Sequence, residues 1–247
     1  YWFEGIARLP VEVDIASEFR YRNTVLPEGG ASLFISQSGE SLDTLMALRH
    51  AREKGQHIIS LINVGESTIA RESDVVLKTL AGPEISVAST KAFTTQLTVL
   101  LCLAVDWAQK RNFLNEKGAL EIMQDLSRLP SAIADVRVSQ NRWNACAHEL
   151  AGAKDVIYLG RGLNFPTALE GALKLKELSY IHAEGYAAGE MKHGPIALRD
   201  EGMPVVIVAP YDEWFDKTAS NLKEALARGG RVVLLSDKEG IERLDDK

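Results

Sequence analysis

Apolar and polar positions along this chain follow two rhythms in turn. The runs Val11–Ile15, Ser32–Ile35, Ile58–Ile62 and Val75–Leu77 have the length and composition of short buried strands. Between the second and third, Leu42–Lys54 has helix-spaced apolar residues and is followed by Gly55, suited to a helix C-terminus. A further helix is predicted over Thr90–Ala108. Gln109–Lys154 has no strand signal and predicts two helices broken near Leu129-Pro130. The alternation then resumes, with strand Val156–Leu159, helix Thr167–Tyr180, strand Pro204–Ala209, helix Thr218–Arg228 and strand Val232–Leu235. Alternating β and α segments predict an α/β fold of parallel sheets with helices on both faces.

A faint internal repeat refines this organisation. SLFISQSGES…ALRHAREKGQHIISLINV and PVVIVAPYDE…NLKEALARGGRVVLLSD both read strand, loop, amphipathic helix, glycine, strand. The second copy follows another strand-loop-helix, Val156 to Tyr180, for which the first has no counterpart. Two similar α/β lobes are therefore expected. Residues 1–108 form a first lobe without its front unit, 109–150 a helical connection, and 151–247 a second lobe that stops one strand past its repeat unit. The start at Tyr1-Trp2-Phe3, without a Met, also reads as cut from something longer.

Composition narrows the function classes. The chain has 247 residues, 46% hydrophobic and 25% charged, which suits a globular fold of one or two domains. Its net charge is −6 and its basic residues are not gathered into a stripe, which argues against a nucleic-acid partner. The longest apolar run, Leu97–Val105, is too short to cross a bilayer and ends in Asp106, so no membrane partner is expected. Cys102 and Cys146 lie far apart and form no metal or redox motif, which fits a reducing cytoplasm.

The chemistry concentrates in a few stretches. SQSGES, positions 36–41, joins a predicted strand to a predicted helix, at the carboxyl end where open α/β sheets bind ligands. The helix start offers unpaired N–H groups, Ser36, Ser38 and Ser41 offer hydroxyls, Gln37 an amide, and Gly39 a close backbone approach. The loop has neither GxGxxG nor GKS/T, so a single phosphate fits better than a dinucleotide or a nucleoside triphosphate. The plainer alternative is that the serines merely cap a helix.

In TALEGALKLKELSYIHAEGYAAGEMKHGP, Glu170, Lys174 and Glu177 stand at i, i+4 and i+7, one narrow stripe on a helix apolar enough to be largely buried. Such a stripe faces either solvent, as an ion-pair ladder, or a polar cavity, because unpaired buried charge is costly. Thr167-x-x-Glu170 also matches a capping box. His182, Glu184, Glu190, Lys192 and His193 follow in a Gly-rich stretch without periodicity, the signature of a functional loop. His182-x-Glu184 has no PCxxC after it, so no metal is assigned. Gly160-Arg161-Gly162 reads equally as turn chemistry, and Ser89-Thr90 equally as an ordinary N-cap.

Taken in order, SQSGES, VASTKAFTTQL, GRG, LEGALKLKELSYIHAEGYAAGE and KHGP resemble the isomerase half of the glutamine–fructose-6-phosphate aminotransferase (glucosamine-6-phosphate synthase) family, over the whole chain. The resemblance implies two flavodoxin-like sugar isomerase (SIS) lobes, a hexose phosphate ligand, no cofactor and no metal. It implies that Ser36, Gln37, Ser38 and Ser41 grip the phosphate and that Val87 and Ser89 line the sugar. Ser41 stands where the family usually has Thr, with the hydroxyl kept. Glu177 matches the carboxylate that moves a proton between C1 and C2, with Lys174 and Glu170 beside it. His193 matches the histidine that opens the sugar ring at the neighbouring subunit's site, which implies a homodimer.

The resemblance also places a Gly-Thr-Ser turn ahead of Tyr1, a Schiff-base lysine past Lys247 and a glutaminase domain outside this stretch. The chain by itself is therefore expected not to make glucosamine 6-phosphate. Two other classes compete: a standalone sugar-phosphate deaminase or deglycase-isomerase, and a non-catalytic sugar-phosphate sensor. A sensor needs the SQSGES loop but not Glu177 with His193.

Overall fold

A computed structural model describes residues 1–193 and 202–245. The chain divides into two compact units, Tyr1–Ser131 and Ala132–Lys247.

The first unit opens with two single-turn helices, α1 (Trp2–Gly5) and α2 (Ala16–Phe19). Its centre is a parallel sheet of β1 (Ala31–Ser36), β2 (His57–Ile62) and β3 (Val75–Lys78), hydrogen-bonded in the order β1-β2-β3. Helix α3 (Leu42–Glu53) links the first two strands, and its apolar face supplies Leu45, Leu48 and Ala51 to a core with Phe34, Ile58, Ile62 and Ile69. Each of the leucine, isoleucine and phenylalanine side chains contributes about 1.5–3 kcal/mol by leaving water. Gly55 takes φ +77 just past the end of α3, a conformation open to glycine at little cost. The short α4 (Thr68–Arg71) leads into β3, and the long α5 (Lys91–Lys110) follows it.

Helix α6 (Glu116–Val138) runs straight through Pro130, so the expected break near Leu129-Pro130 is wrong. Proline removes one helical bond at a cost of about 3 kcal/mol, and the good helix formers on either side outweigh it. The break falls instead at Ser139, before α7 (Gln140–Leu150), where the Trp143 indole N–H donates to the Val136 carbonyl at 2.9 Å.

The second unit has a four-stranded parallel sheet of β4 (Asp155–Gly160), β5 (His182–Ala187), β6 (Pro204–Val208) and β7 (Arg231–Leu235), in the order β5-β4-β6-β7. Helix α8 (Asn164–Ser179) connects β4 to β5 and α9 (Phe215–Ala227) connects β6 to β7; α10 (Lys238–Asp245) follows. Glycines let α8 lie close on the sheet: a Cβ on Gly171 would stand 2.9 Å from the Tyr158 ring, and one on Gly185 2.8 Å from the Leu169 backbone. Phe215, Ile207, Leu159 and Val205 fill the opposite face.

Two further expectations fail. Val11–Ile15 is not a strand; no strand among the described residues pairs with it, and Val11, Val13 and Ile15 are exposed. Alternation alone cannot hold an extended segment without a ladder neighbour. Conversely, HAEGYA, read as part of a loop, is β5. It is an edge strand, and its exposed His182 and Glu184 interrupt the apolar pattern as edge strands often do.

Candidate functional site

The SQSGES loop leaves the carboxyl end of β1 and turns into α3. Gly39 makes the turn possible: its φ is +67, and a Cβ there would stand 2.0 Å from Ser67 Oγ. The Gly39 carbonyl accepts from Ile69 N at 3.1 Å, and the Gln37 carbonyl accepts from Asn63 N at 3.3 Å. The loop is thus fixed from below by α4 and by the end of β2.

Its polar groups are held by local hydrogen bonds. Gly39 N donates to Ser36 Oγ at 3.0 Å and Glu40 N donates to Ser38 Oγ at 3.2 Å. Both hydroxyl oxygens therefore serve as acceptors, which leaves their hydrogens to donate elsewhere. Ser41 Oγ lies 3.4 Å from Ser36 Oγ. Ser41 occupies the N-cap position of α3, but its side chain makes no capping bond, so the plain capping reading does not hold for it. The one acidic residue in the first turn of α3 is Asp43, and its Oδ1 lies 4.0 Å from Arg20.

The one carboxylate in the loop is turned away: Glu40 Oε1 accepts from Thr68 N at 2.7 Å. That bond, with the nearby Arg71, holds the Glu40 carboxyl below its ordinary range. Beside Gln37 a cavity of about 540 Å³ opens at the carboxyl ends of the strands, lined also by Asn63, Val64, Leu80, Gly82 and Pro83.

Val87 and Ser89 lie between β3 and α5. Val87 is fully exposed, Ser89 half-buried, and Ala88 between them buried. The expected Ser/Thr cap of α5 is absent, since Thr90 makes no side-chain capping bond; Ala92 N donates instead to Glu84 Oε2 at 3.2 Å.

In the second unit Glu170, Lys174 and Glu177 form the predicted stripe on α8, opposite the buried Ala168 and Ala172. Lys174 Nζ sits 2.5 Å from Glu177 Oε2 and 3.4 Å from Glu170 Oε1, and all three side chains are half-buried. Burial pushes the Lys174 ammonium down, but its bond to Glu177 and the charges of both carboxylates outweigh that and raise it. The helix starts earlier than predicted, so Thr167 lies inside it and donates to the Leu163 carbonyl; the capping-box reading of Glu170 is thereby removed. Nor is the helix largely buried, since Leu169 and Leu173 are exposed beside the stripe.

His193 ends a short turn after β5, exposed, with its backbone N donating to Glu190 O at 2.9 Å. Gly194 and Pro195 of the KHGP motif lie outside the described residues. Lys192 pairs with Glu224 at 2.8 Å. His182 and Glu184 have a structural use: His182 Nδ1 meets Asp155 Oδ1 at 2.8 Å across the β4–β5 register, and Glu184 bonds the Tyr186 hydroxyl. In GRG, Gly160 is required by packing, since a Cβ would stand 2.0 Å from the Asn164 carbonyl. Sequence reasoning passed over Asn63, Ser67 and Glu84. Their one available signal was position, since each is polar and flanks an element end.

The SIS domain model matches residues 1–106 and 149–242. The glutamine–fructose-6-phosphate aminotransferase [isomerizing] of Bradyrhizobium diazoefficiens is 57% identical over 98% of the chain, and that of Mesorhizobium japonicum is 56% identical over all of it. The chain spans about 40% of the length of these curated relatives. Among solved structures, the C-terminal domain of glucosamine-fructose-6-phosphate aminotransferase from Francisella tularensis superposes with a TM-score of 0.94 at 44% identity, covering 98% of this chain and 69% of that one.

Proposed function

The chain belongs to the SIS-domain family, in the branch of the glutamine–fructose-6-phosphate aminotransferases, and from that premise we propose that it is the sugar-phosphate isomerase part of such an enzyme. As part of that enzyme it binds fructose 6-phosphate, and the whole enzyme, with nitrogen released from glutamine elsewhere in it, forms glucosamine 6-phosphate. The observation that carries this reading is the loop 36–41: the hydroxyls of Ser36, Ser38 and Ser41 gather at a helix start that the Ser41 side chain leaves uncapped, and the loop's own carboxylate is engaged by α4.

In this reading Ser36, Gln37, Ser38 and Ser41 hold the phosphate, and Val87 and Ser89 border the sugar. Fixing the phosphate supplies the remote binding energy that keeps the reacting carbons still. Glu177 removes the proton from C1 of the ketose imine and returns it to C2, so that C1 becomes the aldehyde of the amino sugar. Lys174, paired with Glu177 and Glu170, holds that carboxylate in place and balances its charge. His193 opens the sugar ring, a task suited to an imidazole, whose two ring nitrogens can give and take a proton, and serves the neighbouring site of a homodimer in the cytoplasm. A sensor would have no use for the ion-paired Glu177.

Calorimetric titration of the chain with fructose 6-phosphate tests the reading. Wild type binds, and Ser38→Ala loses about tenfold or more in affinity, as removal of a charge-assisted hydrogen bond predicts. No uptake by wild type, or equal affinity in the variant, overturns it.

A further inference from the structure

Asn63 holds together the two walls of the cavity at the carboxyl ends of β1–β3. Its backbone N–H donates to the Gln37 carbonyl at 3.3 Å, which ties it to the SQSGES loop. Its side chain reaches the other way. Oδ1 accepts from Thr79 Oγ1 at 3.0 Å and from Ala81 N at 2.9 Å, while Nδ2 donates to Gly82 O at 2.7 Å. One amide thus uses both its ends on the three residues that surround Leu80.

Leu80 is held in the left-handed region at φ +53, and its side chain is 83% exposed on the cavity rim. A leucine avoids this conformation, and such a residue persists only where its surroundings over-determine it. Here the Asn63 bonds on either side do so. They turn an apolar side chain outward beside Gln37, where strain and exposure are both unfavourable without a ligand to meet. The same segment continues to Val87 and Ser89 and is fixed at its far end by the Glu84 bond to Ala92 N.

We propose that Asn63 is the positioning residue of the hexose phosphate pocket, setting the Leu80–Pro83 wall against the sugar while the 36–41 loop holds the phosphate. The proposal rests on the sugar-phosphate reading above. It predicts a division of labour: loss of the Asn63 side chain should weaken recognition of the sugar and spare recognition of the phosphate.

Titration of the chain with fructose 6-phosphate and, separately, with inorganic phosphate tests this. Asn63→Ala should lose about tenfold in fructose 6-phosphate affinity, the effect of a displaced wall, and keep its inorganic phosphate affinity. Asn63→Asp, which retains both acceptor bonds, should recover part of the loss. Leu80→Gly guards against a folding defect, because glycine accepts the left-handed conformation. It should melt no lower than wild type and still bind fructose 6-phosphate more weakly. A parallel loss of both ligands in Asn63→Ala, or unchanged fructose 6-phosphate affinity in either Asn63→Ala or Leu80→Gly, overturns the proposal. Wild type that binds neither ligand overturns the sugar-phosphate reading itself.

Discussion

Gly39→Ala is the sharpest test of how the loop is built. The residue sits at φ +67, where an L-side chain costs about 1–2 kcal/mol. Its new Cβ would lie 2.0 Å from Ser67 Oγ and 2.5 Å from Ser67 Cβ. Ser67 cannot swing aside freely, since it is 2% exposed and its Oγ accepts from Ala70 N at the start of α4. Relieving that overlap costs about 1–3 kcal/mol, and a less flexible unfolded chain offsets about 0.4–1 kcal/mol. The net loss is about 3 kcal/mol, a large part of the stability of an ordinary domain. Hydrogen exchange at the β1 and β2 amides reads the opening free energy of this unit directly. Ser67→Gly in the same chain removes the overlapping atoms and, as a cap, glycine costs only a few tenths of a kcal/mol. The double variant should therefore be more stable than the two single losses added, by about 1–3 kcal/mol. Additive losses, or Gly39→Ala within about 0.5 kcal/mol of wild type, would refute the steric account.

Other consequences follow from charge. Asp74 accepts from Ile58 N and from Arg52, and these bonds hold its carboxyl below the ordinary range. A depressed folded value means the stabilisation is present above the unfolded value, about 3.9, and is lost as pH falls through the folded one. Asp74→Asn should thus be less stable than wild type near neutrality, with the gap closing below about pH 4; a gap constant with pH counts against it. In the full enzyme that carries this chain, Glu177→Gln should lower turnover by about 10²–10⁴-fold and leave hexose phosphate binding nearly intact; wild-type turnover removes Glu177 from its role. Mixed dimers of a Glu177 variant with a His193 variant should regain part of the activity lost by each alone, and no recovery argues against a shared site.

The parallel α/β architecture was legible because buried strands and one-sided helices leave unambiguous spacing, as at Ile58–Ile62 and Leu42–Glu53. Where tertiary context decides, spacing misled. Val11–Ile15 alternates well and has no partner strand among the described residues, whereas β5 alternates badly and has one. The serines and the α8 stripe announced themselves as side chains. The clamp at Asn63 did not, because a polar residue after a strand looks like any loop residue until its three partners, distant in sequence, are known.

The two copies of the repeat engage their loop carboxylates differently. β1–α3–β2 and β6–α9–β7 are the same parallel unit, and both present a helix start at the carboxyl edge of a sheet. At α9 the protein supplies the negative charge itself: Asp212 Oδ1 accepts from Trp214 N at 2.9 Å and Oδ2 from Asn164 Nδ2 at 3.0 Å. Trp214 also lies against Gly162, where an added Cβ would be 3.1 Å from its ring. Asp212 and Trp214 thus stand near the switch point between β4 and β6, the place where open sheets of this kind bind ligands. In the first copy the aligned carboxylate, Glu40, accepts instead from Thr68 N of α4, and Asp43 in the first turn of α3 lies 4.0 Å from Arg20. A carboxylate at a helix start satisfies the dipole and repels a second anion; a hydroxyl completes its bonding only when an acceptor arrives. The two copies therefore differ in where the loop carboxylate is engaged: by α4 in the first and by the start of α9 in the second.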